Sequence, residues 1–373
     1  MKQLVLITLV FLGVGAGSLR ALTPFGVDIE ALYDPLCEPS YGSCPLIDEA
    51  AAAGAQWIRL LAIWNNIEPT NGSYNWDYLP YQVWYAQQKG INVIFTATWA
   101  PQWANGATST CPPYAGATQT GPGSSTLPQC ANGYGDVGRT VTNSTYTYNF
   151  FYNLALEFNG SSTTGCSTNA STCHPLVQYF GVWNEPNGMN NFNDEYYDPS
   201  DLGNYLNDFV NQFLAPAHNG IKAANASAHV MAPDLGTGGN TCGGFSGCGT
   251  WQSSWMQSLN QYFTGYYDVI TIHGYNSSES VLKGNVDQVE DSYNSGGKPI
   301  WVDENAMGGT SNVTQYYVDE YNRQTYWPVA FWEFGGYGIN CGTTDDLVCS
   351  ATGSSVLETT AYFTAYQEVY APH

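Results

Sequence analysis

Residues 179–187 read YFGVWNEPN. Tyr179 to Trp183 is an apolar run of strand length that stops abruptly at Asn184, Glu185 and Pro186. Such a run, closed by a proline, reads as a strand buried on both faces. A carboxylate at its end is costly to bury unless it is paired or protonated. Glu185 is therefore expected in an apolar setting with a raised pKa, which suits a general acid. For an isolated Asn-Glu-Pro tripeptide, a helix-capping or loop carboxylate is the alternative.

Working outward, strand-like runs alternate with helical patterns along the chain: Pro24–Asp28, Trp57–Leu61, Asn92–Ala97, Gln178–Trp183, His229–Ala232, Val269–His273, Pro299–Asp303 and Val329–Trp332. Helices are predicted over Pro45–Ala53, Tyr78–Gly90, Tyr146–Phe158, Pro199–Asn225, Trp251–Phe263, Val281–Ser295, Val313–Tyr321 and Ser355–Glu368. Leu202, Leu206, Phe209, Val210 and Phe213 give the fourth helix an apolar face, and Pro216 is placed to kink or split it. Eight βα units predict a single α/β domain, a (β/α)8 barrel with disulfide-stapled loops. A doubly wound open sheet shares the alternation, but no Gly-rich phosphate turn follows an early strand. In such a barrel the chemistry sits at the C-terminal ends of the strands.

The seventh strand supplies a second carboxylate in Pro299-Ile300-Trp301-Val302-Asp303-Glu304-Asn305. Alternation sets Asp303 and Glu304 on opposite sides without deciding which one faces inward. Carboxylates from strands four and seven can converge across a barrel mouth, and a retaining glycosidase needs about 5–5.5 Å between acid and nucleophile. Arg59, on strand two, is suited to keep a catalytic carboxylate ionised; an ordinary structural ion pair is the alternative. Strand six ends in His273-Gly274-Tyr275-Asn276, where an imidazole or phenol can bond the nucleophile, although a lone His273 also fits a satisfied core residue. Strand eight ends in Phe331-Trp332-Glu333-Phe334, and Trp332 has the apolar face that floors a sugar subsite.

These residues resemble the retaining glycoside hydrolases of clan A. The stretches WNNIEPTNGSYNWDYL (64–79), INVIFTATWAPQWA (91–104), YFGVWNEPN (179–187), DVITIHGYN (268–276) and PIWVDENA (299–306) look most like family 39 and its cellulase-like relatives. The resemblance, which runs in order from about residue 24 to 370, implies a (β/α)8 fold with acid/base and nucleophile glutamates after strands four and seven. By position it implies Glu185 as acid/base and Glu304 as nucleophile. Asn184 would bind the sugar 2-hydroxyl, Tyr275 and Arg59 would support Glu304, and Trp332 would stack on the sugar. Asp303 stands where relatives often carry Thr or Ser, which leaves the Asp303/Glu304 choice open. Trp99 stands near where many place a histidine, so the contacts it makes to sugar are expected to differ. The implied activity is hydrolysis of β-type glycosidic bonds in plant or microbial oligo- or polysaccharides by double displacement, with no cofactor. A catalytically silent barrel that binds glycans through Trp99, Trp103, Trp183 and Trp332 is the second reading, and the two carboxylates argue against it.

Composition bounds the setting. Lys2 followed by the apolar run Leu4 to Val14 has the form of a secretory signal peptide and is too short to span a bilayer. Residues 1–21 are read as that signal, with cleavage between about 16 and 21, and 22–373 as the catalytic domain, secreted or periplasmic. Ten cysteines fall into sequence-local couples, 37/44, 111/130, 166/173, 242/248 and 341/349, which behind a signal peptide favours disulfides. No CxxC couple occurs and the five histidines are scattered, which argues against a zinc site or a metal-dependent hydrolase. Thirty-one acidic against nine basic residues give a formal charge of −22, so nucleic acid and anionic membranes are poor partners and a carbohydrate is the expected one. Only 11% of residues are charged, which points to an acidic working environment. Nothing in the sequence specifies an oligomeric state or which sugar is cut.

Overall fold

The computed structural model describes residues 25–29, 37, 39–40, 42–76, 79–106, 140–163, 173–186, 202–236, 248–274, 287–289, 291, 294, 297–304, 329–333, 348–350, 357–359, 363–364 and 366–367. Within these, residues 25, 202–205, 248–254, 329–333, 348–350 and 357–359 are described by their backbone. The expected signal peptide, Tyr275, and the helices expected over 281–295 and 313–321 lie wholly or largely outside the described residues.

All eight expected parallel strands form: β1 (Phe25–Ile29), β2 (Trp57–Ile63), β3 (Asn92–Thr98), β4 (Tyr179–Val182), β5 (His229–Met231), β6 (Ile270–His273), β7 (Ile300–Glu304) and β8 (Val329–Glu333). They make one sheet in the order β5-β4-β3-β2-β1-β8-β7-β6. The two end strands also meet, through the parallel bridges Met231↔Val269 and Leu235↔Ile272. Helices accompany the strands: α1 (Pro45–Ala53), α2 (Trp64–Ile67), α3 (Leu79–Gln88), α4 (Gln102–Asn105), α5 (Ser144–Glu157), α6 (Leu202–Phe209), α7 (Ala215–Ala224) and α8 (Cys248–Tyr262).

Two expectations change. The helix expected over Ser355–Glu368 begins instead as a strand, β10 (Leu357–Thr359), paired antiparallel with β9 (Val348–Ser350). The β-branched Val348 and Thr359 face each other in that pair and favour extended backbone. The long helix expected over Pro199–Asn225 is divided: a π-turn over Val210–Leu214 separates α6 from α7, with Pro216 in the first turn of α7. Proline has no N–H to offer the carbonyl four residues back, which is that of Gln212. The Thr147 hydroxyl donates to that carbonyl instead, at 2.7 Å. Close packing of α5 on α7 depends on Gly220, where a Cβ would lie 2.5 Å from the Tyr148 carbonyl oxygen.

Of the five expected cysteine couples, only 37/44 lies wholly within the described residues, and Cys37 and Cys44 are joined by a disulfide. No helix among the described residues is long and apolar enough to cross a membrane.

The strand alternation explains how the site is built. Trp57, Ile94, Met231, Val269 and Trp301, with Tyr179 against them, form one packed apolar layer inside the sheet. Its aromatic rings interlock, with Tyr179 and Trp301 centroids 4.6 Å apart and Trp57 and Trp301 5.3 Å apart. Two residues further along the same strands the side chains point the same way, and there they are polar: Arg59 after Trp57, Thr96 after Ile94, Asp303 after Trp301. An apolar floor therefore carries a charged layer toward the C-terminal strand ends.

Candidate active site

Arg59 stands at the centre of that layer, fully buried. Its Nη1 donates to Asp28 Oδ2 at 2.9 Å, and its Nη2 donates to Asp234 Oδ2 at 3.0 Å and to Asn184 Oδ1 at 2.7 Å. Its Nε donates to Thr96 Oγ1 at 3.1 Å, and Thr96 Oγ1 in turn donates to Asp234 Oδ2 at 2.8 Å. Glu304 Oε2 lies 3.5 Å from Nη1, and Asp303 Oδ2 lies 3.8 Å from Nε. Burial alone would pull the guanidinium down, but Asp28, Asp234 and the strand-seven acids more than offset it, so Arg59 stays charged.

His273 joins the two glutamates. Its Nδ1 is 3.0 Å from Glu185 Oε1, and its Nε2 is 3.0 Å from Glu304 Oε2. Burial disfavours the imidazolium, yet the charge of Glu304 and the hydrogen bonds to Glu185 and Glu304 outweigh it and raise His273 well above its ordinary range. The strand register shifts between Ile272 and His273, so that His273 pairs with Glu304 rather than with Asp303. Irregularities of this kind re-aim side chains beside sites.

Glu185 is not in the apolar setting expected for it. Its side chain is 31% exposed and faces His273. Its backbone has a φ of 45°, and Trp183 before it has 76°, both in the left-handed region that side-chain-bearing residues rarely occupy. Trp99, at the end of β3, has 59°. Non-glycine residues in this region cluster where a fold holds a side chain for use rather than for stability. Glu185 N–H donates to the Asp234 carbonyl at 2.8 Å, which fixes the turn. Gly236 backs the carboxylate: a Cβ there would lie 2.5 Å from Glu185 Oε1.

The strand-end residues expected to converge thus do so in part. Glu185, Glu304, His273, Arg59 and Asn184 form one connected group. Trp99 is half-buried at the end of β3, and its carbonyl accepts from Asn65 N–H at 3.0 Å. Trp332 lies in β8, described by its backbone in register with Val27, and Tyr275 lies outside the described residues. Two tryptophans weighed as sugar platforms are otherwise employed. Trp183 is buried, its ring 4.4 Å from that of Phe213. Trp103 donates its Nε1 to the Glu68 carbonyl and packs edge-on against Trp64 and Tyr146.

Four residues of the site were not singled out from sequence: Asp28, Thr96, Asp234 and Gly236. Asp28 is the polar residue ending an apolar strand, the same signal that drew attention to Glu185. Burial lifts its carboxyl to about 7 against the opposing pull of Arg59. Asp303, also fully buried, is pushed well above the usual carboxylate range, by burial first and then by Asp234. Asp234, His273 and Asp303 bring ligand-type atoms within 4.8 Å of one another, a spacing that a divalent ion can use. The cation already seated against both of those carboxylates is Arg59.

Residues 157–327 match the family model of the glycosyl hydrolase catalytic core. No curated protein matches the chain. Among solved structures, a family 39 glycoside hydrolase from the gut symbiont Bacteroides cellulosilyticus WH2 is similar with a TM-score of 0.56 and 17% identity, over 94% of this chain and 63% of that one. This chain therefore spans less than two thirds of that enzyme's length. A family 39 β-xylosidase from Caulobacter crescentus is similar with a TM-score of 0.56 and 14% identity, over 93% of this chain and 70% of the other. A fungal β-1,4-galactanase gives 0.55 and 15%, over 94% and 100%. The chain carries a match to a glycosyl hydrolase catalytic core at residues 157–327, in an α/β fold similar to that of the family 39 glycosidases.

Proposed function

We propose that the protein is a retaining β-glycosidase of a secreted or periplasmic setting, with Glu304 as nucleophile and Glu185 as acid/base. The observation that carries this reading is the bridge at His273, which ties carboxylates from the ends of β4 and β7 to one imidazole. The strand order and the β5–β6 bridges support a closed (β/α)8 barrel, whose C-terminal face is where such groups gather.

In this mechanism Glu304, kept anionic by Arg59 and His273, attacks the anomeric carbon and forms a glycosyl ester. The glycosidic C–O bond breaks as Glu185 delivers a proton to the departing oxygen. That proton is available at His273 Nδ1, 3.0 Å from Glu185 Oε1, so the pair holds it jointly before transfer. Glu185 then takes a proton from water, which opens the ester and returns the sugar with its original configuration. Asn184, oriented by Arg59 Nη2, is suited to bind the sugar hydroxyl beside the reacting carbon. Trp332, Tyr275 and Trp99 complete the proposed sugar contacts, and residues 1–21 are proposed as the secretory signal.

Aryl β-glucosides, β-xylosides, β-galactosides and α-arabinosides test the reading. Glu304→Gln should abolish turnover while sugar binding persists. Glu185→Ala should still be glycosylated by substrates with good leaving groups, and added azide should intercept the ester. Near-normal turnover by Glu304→Gln, or no azide product from Glu185→Ala, would count against the assignment. EDTA should leave the activity intact.

A further inference from the structure

Beneath the two glutamates, Asp234 and Asp303 face each other with their hydrogen-bonding capacity unmet. Among the described residues, no N–H or O–H donates to either oxygen of Asp303, although its side chain is completely buried. The Arg59 Nε is its nearest guanidinium atom, at 3.8 Å, beyond hydrogen-bond length. Asp234 uses Oδ2 for Arg59 and Thr96, and its Oδ1 has no donor among the described residues. Oxygens of the two carboxyl groups lie within 4.8 Å. Two buried, donor-poor carboxylates side by side are expensive to keep ionised, whereas one proton makes one of them a donor to the other.

We propose that Asp303 is a neutral carboxylic acid that donates its proton to Asp234, and that this shared proton reserves the positive charge of Arg59 for Glu304. The inference deepens the glycosidase reading and rests on it for its consequence in catalysis, not for the proton itself. Among the described residues, the charged groups around Asp303 are Arg59 from β2 with Asp28 of β1 on its far side, Asp234 after β5, His273 of β6, and Glu304 next in β7. Among the described residues Arg59 faces four carboxyl groups, and an ionised Asp303 would compete with Glu304 for it. A neutral Asp303 removes that competitor and fills the vacant acceptor of Asp234. Asp303 is thus a positioning residue. It also resolves the strand-seven ambiguity physically: of two adjacent acids, the donor-starved one is protonated, and the one held by Arg59 and His273 is the anion.

Infrared difference spectroscopy tests the proton directly. Wild-type protein at pH 7 should show the deuterium-sensitive C=O stretch of a protonated carboxylic acid, and Asp303→Asn should lose it. In wild type the band should persist at about pH 8.5, where Asp28, with a pKa of about 7, is ionised. That wild-type measurement can overturn the proposal even if the variant does not fold. Absence of the band overturns the proposal, whether or not the protein proves to cleave glycosides. In turnover, Asp303→Ala should lower kcat about tenfold or more, because Asp234 loses its donor, and Asp303→Asn should recover most of that loss by restoring a neutral donor. An asparagine as poor as the alanine overturns it. So does the outcome in which Zn2+ or Ca2+, added after EDTA treatment, raises the Tm of the wild type but not of Asp303→Asn.

Discussion

His273 Nδ1 lies 3.0 Å from Glu185 Oε1, and the imidazole itself is completely buried. In the proposed mechanism an imidazolium so placed is a proton store for the partly exposed Glu185 carboxylate. Replacing it by Asn or Gln should lower kcat by about 100-fold to 1,000-fold, within the range of a lost acid/base partner. The loss should be larger for substrates with poor leaving groups than for 2,4-dinitrophenyl glycosides, which need little protonation. Equal losses across a leaving-group series would assign His273 to structure alone.

Gly236 gives a second, purely steric handle on the same carboxylate. Gly236→Ala places a methyl group 2.5 Å from Glu185 Oε1 and 2.9 Å from its Cδ, so the carboxylate must move. A displacement of this size at a reacting group costs up to about 100-fold in kcat. The Glu185 side chain is 31% exposed, so the added methyl is met at the surface and not in the core, and Tm should change little. Activity retained at wild-type level would show that Glu185 does not need its present position.

Arg59 is the ion that makes the carboxylate layer tenable. Above about pH 8, where Asp28 is ionised in the wild type, Arg59→Met leaves Asp28 and Asp234 buried without their cation and should destabilise the fold by about 3–5 kcal/mol, as breaking a buried pair does. Denaturant unfolding of the variant reads this directly. Stability recovered by the double variant Arg59→Met/Asp28→Asn would show that the cost lies in the uncompensated charge.

Stability should be greatest in acid. The folded protein holds a proton on Asp28 up to about pH 7, whereas the unfolded chain releases it near the ordinary carboxylate value of 3.8. The stabilisation is therefore fully present below about pH 4 and is lost as pH rises through about 7, amounting to up to roughly 4 kcal/mol. His273, raised well above 6.5, acts in the same direction at higher pH, its contribution fading as pH climbs through its folded value. Asp268, lowered mainly through its bonds to Lys222 and Val230 against the effect of burial, has the opposite sign and loses its contribution only in strong acid. Unfolding midpoints should fall steadily from about pH 5 to 8. A midpoint that rises over that interval would contradict the protonation pattern.

The eight strands were readable because each is a short apolar run bounded by turn residues, a pattern that local sequence states by itself. Glu185, Glu304, Arg59 and His273 were readable because a charged or titratable group ending or interrupting such a run is conspicuous. Asp28 gives the same signal at the end of β1 and went unread, since its partner Arg59 is 31 residues away and only sheet register brings them together. Asp234 and Gly236 follow β5 in a polar, glycine-rich stretch where an aspartate and a glycine are ordinary, so their contacts with Arg59 and Glu185 were invisible from sequence. The π-turn before Pro216 is a tertiary solution, completed by the Thr147 hydroxyl from another helix. That His273 pairs with Glu304 and not with Asp303 depends on a register shift, which alternation along a strand cannot anticipate.

Trapping the covalent intermediate tests the central claim most directly. Once an aryl glycoside that the enzyme turns over is found, its 2,4-dinitrophenyl 2-deoxy-2-fluoro counterpart should inactivate the protein with release of one dinitrophenolate per chain. Peptide mass spectrometry should then locate the fluorosugar on Glu304. A label on Asp303, or turnover of the parent glycoside with inverted anomeric configuration and no label on Glu304, would contradict the account.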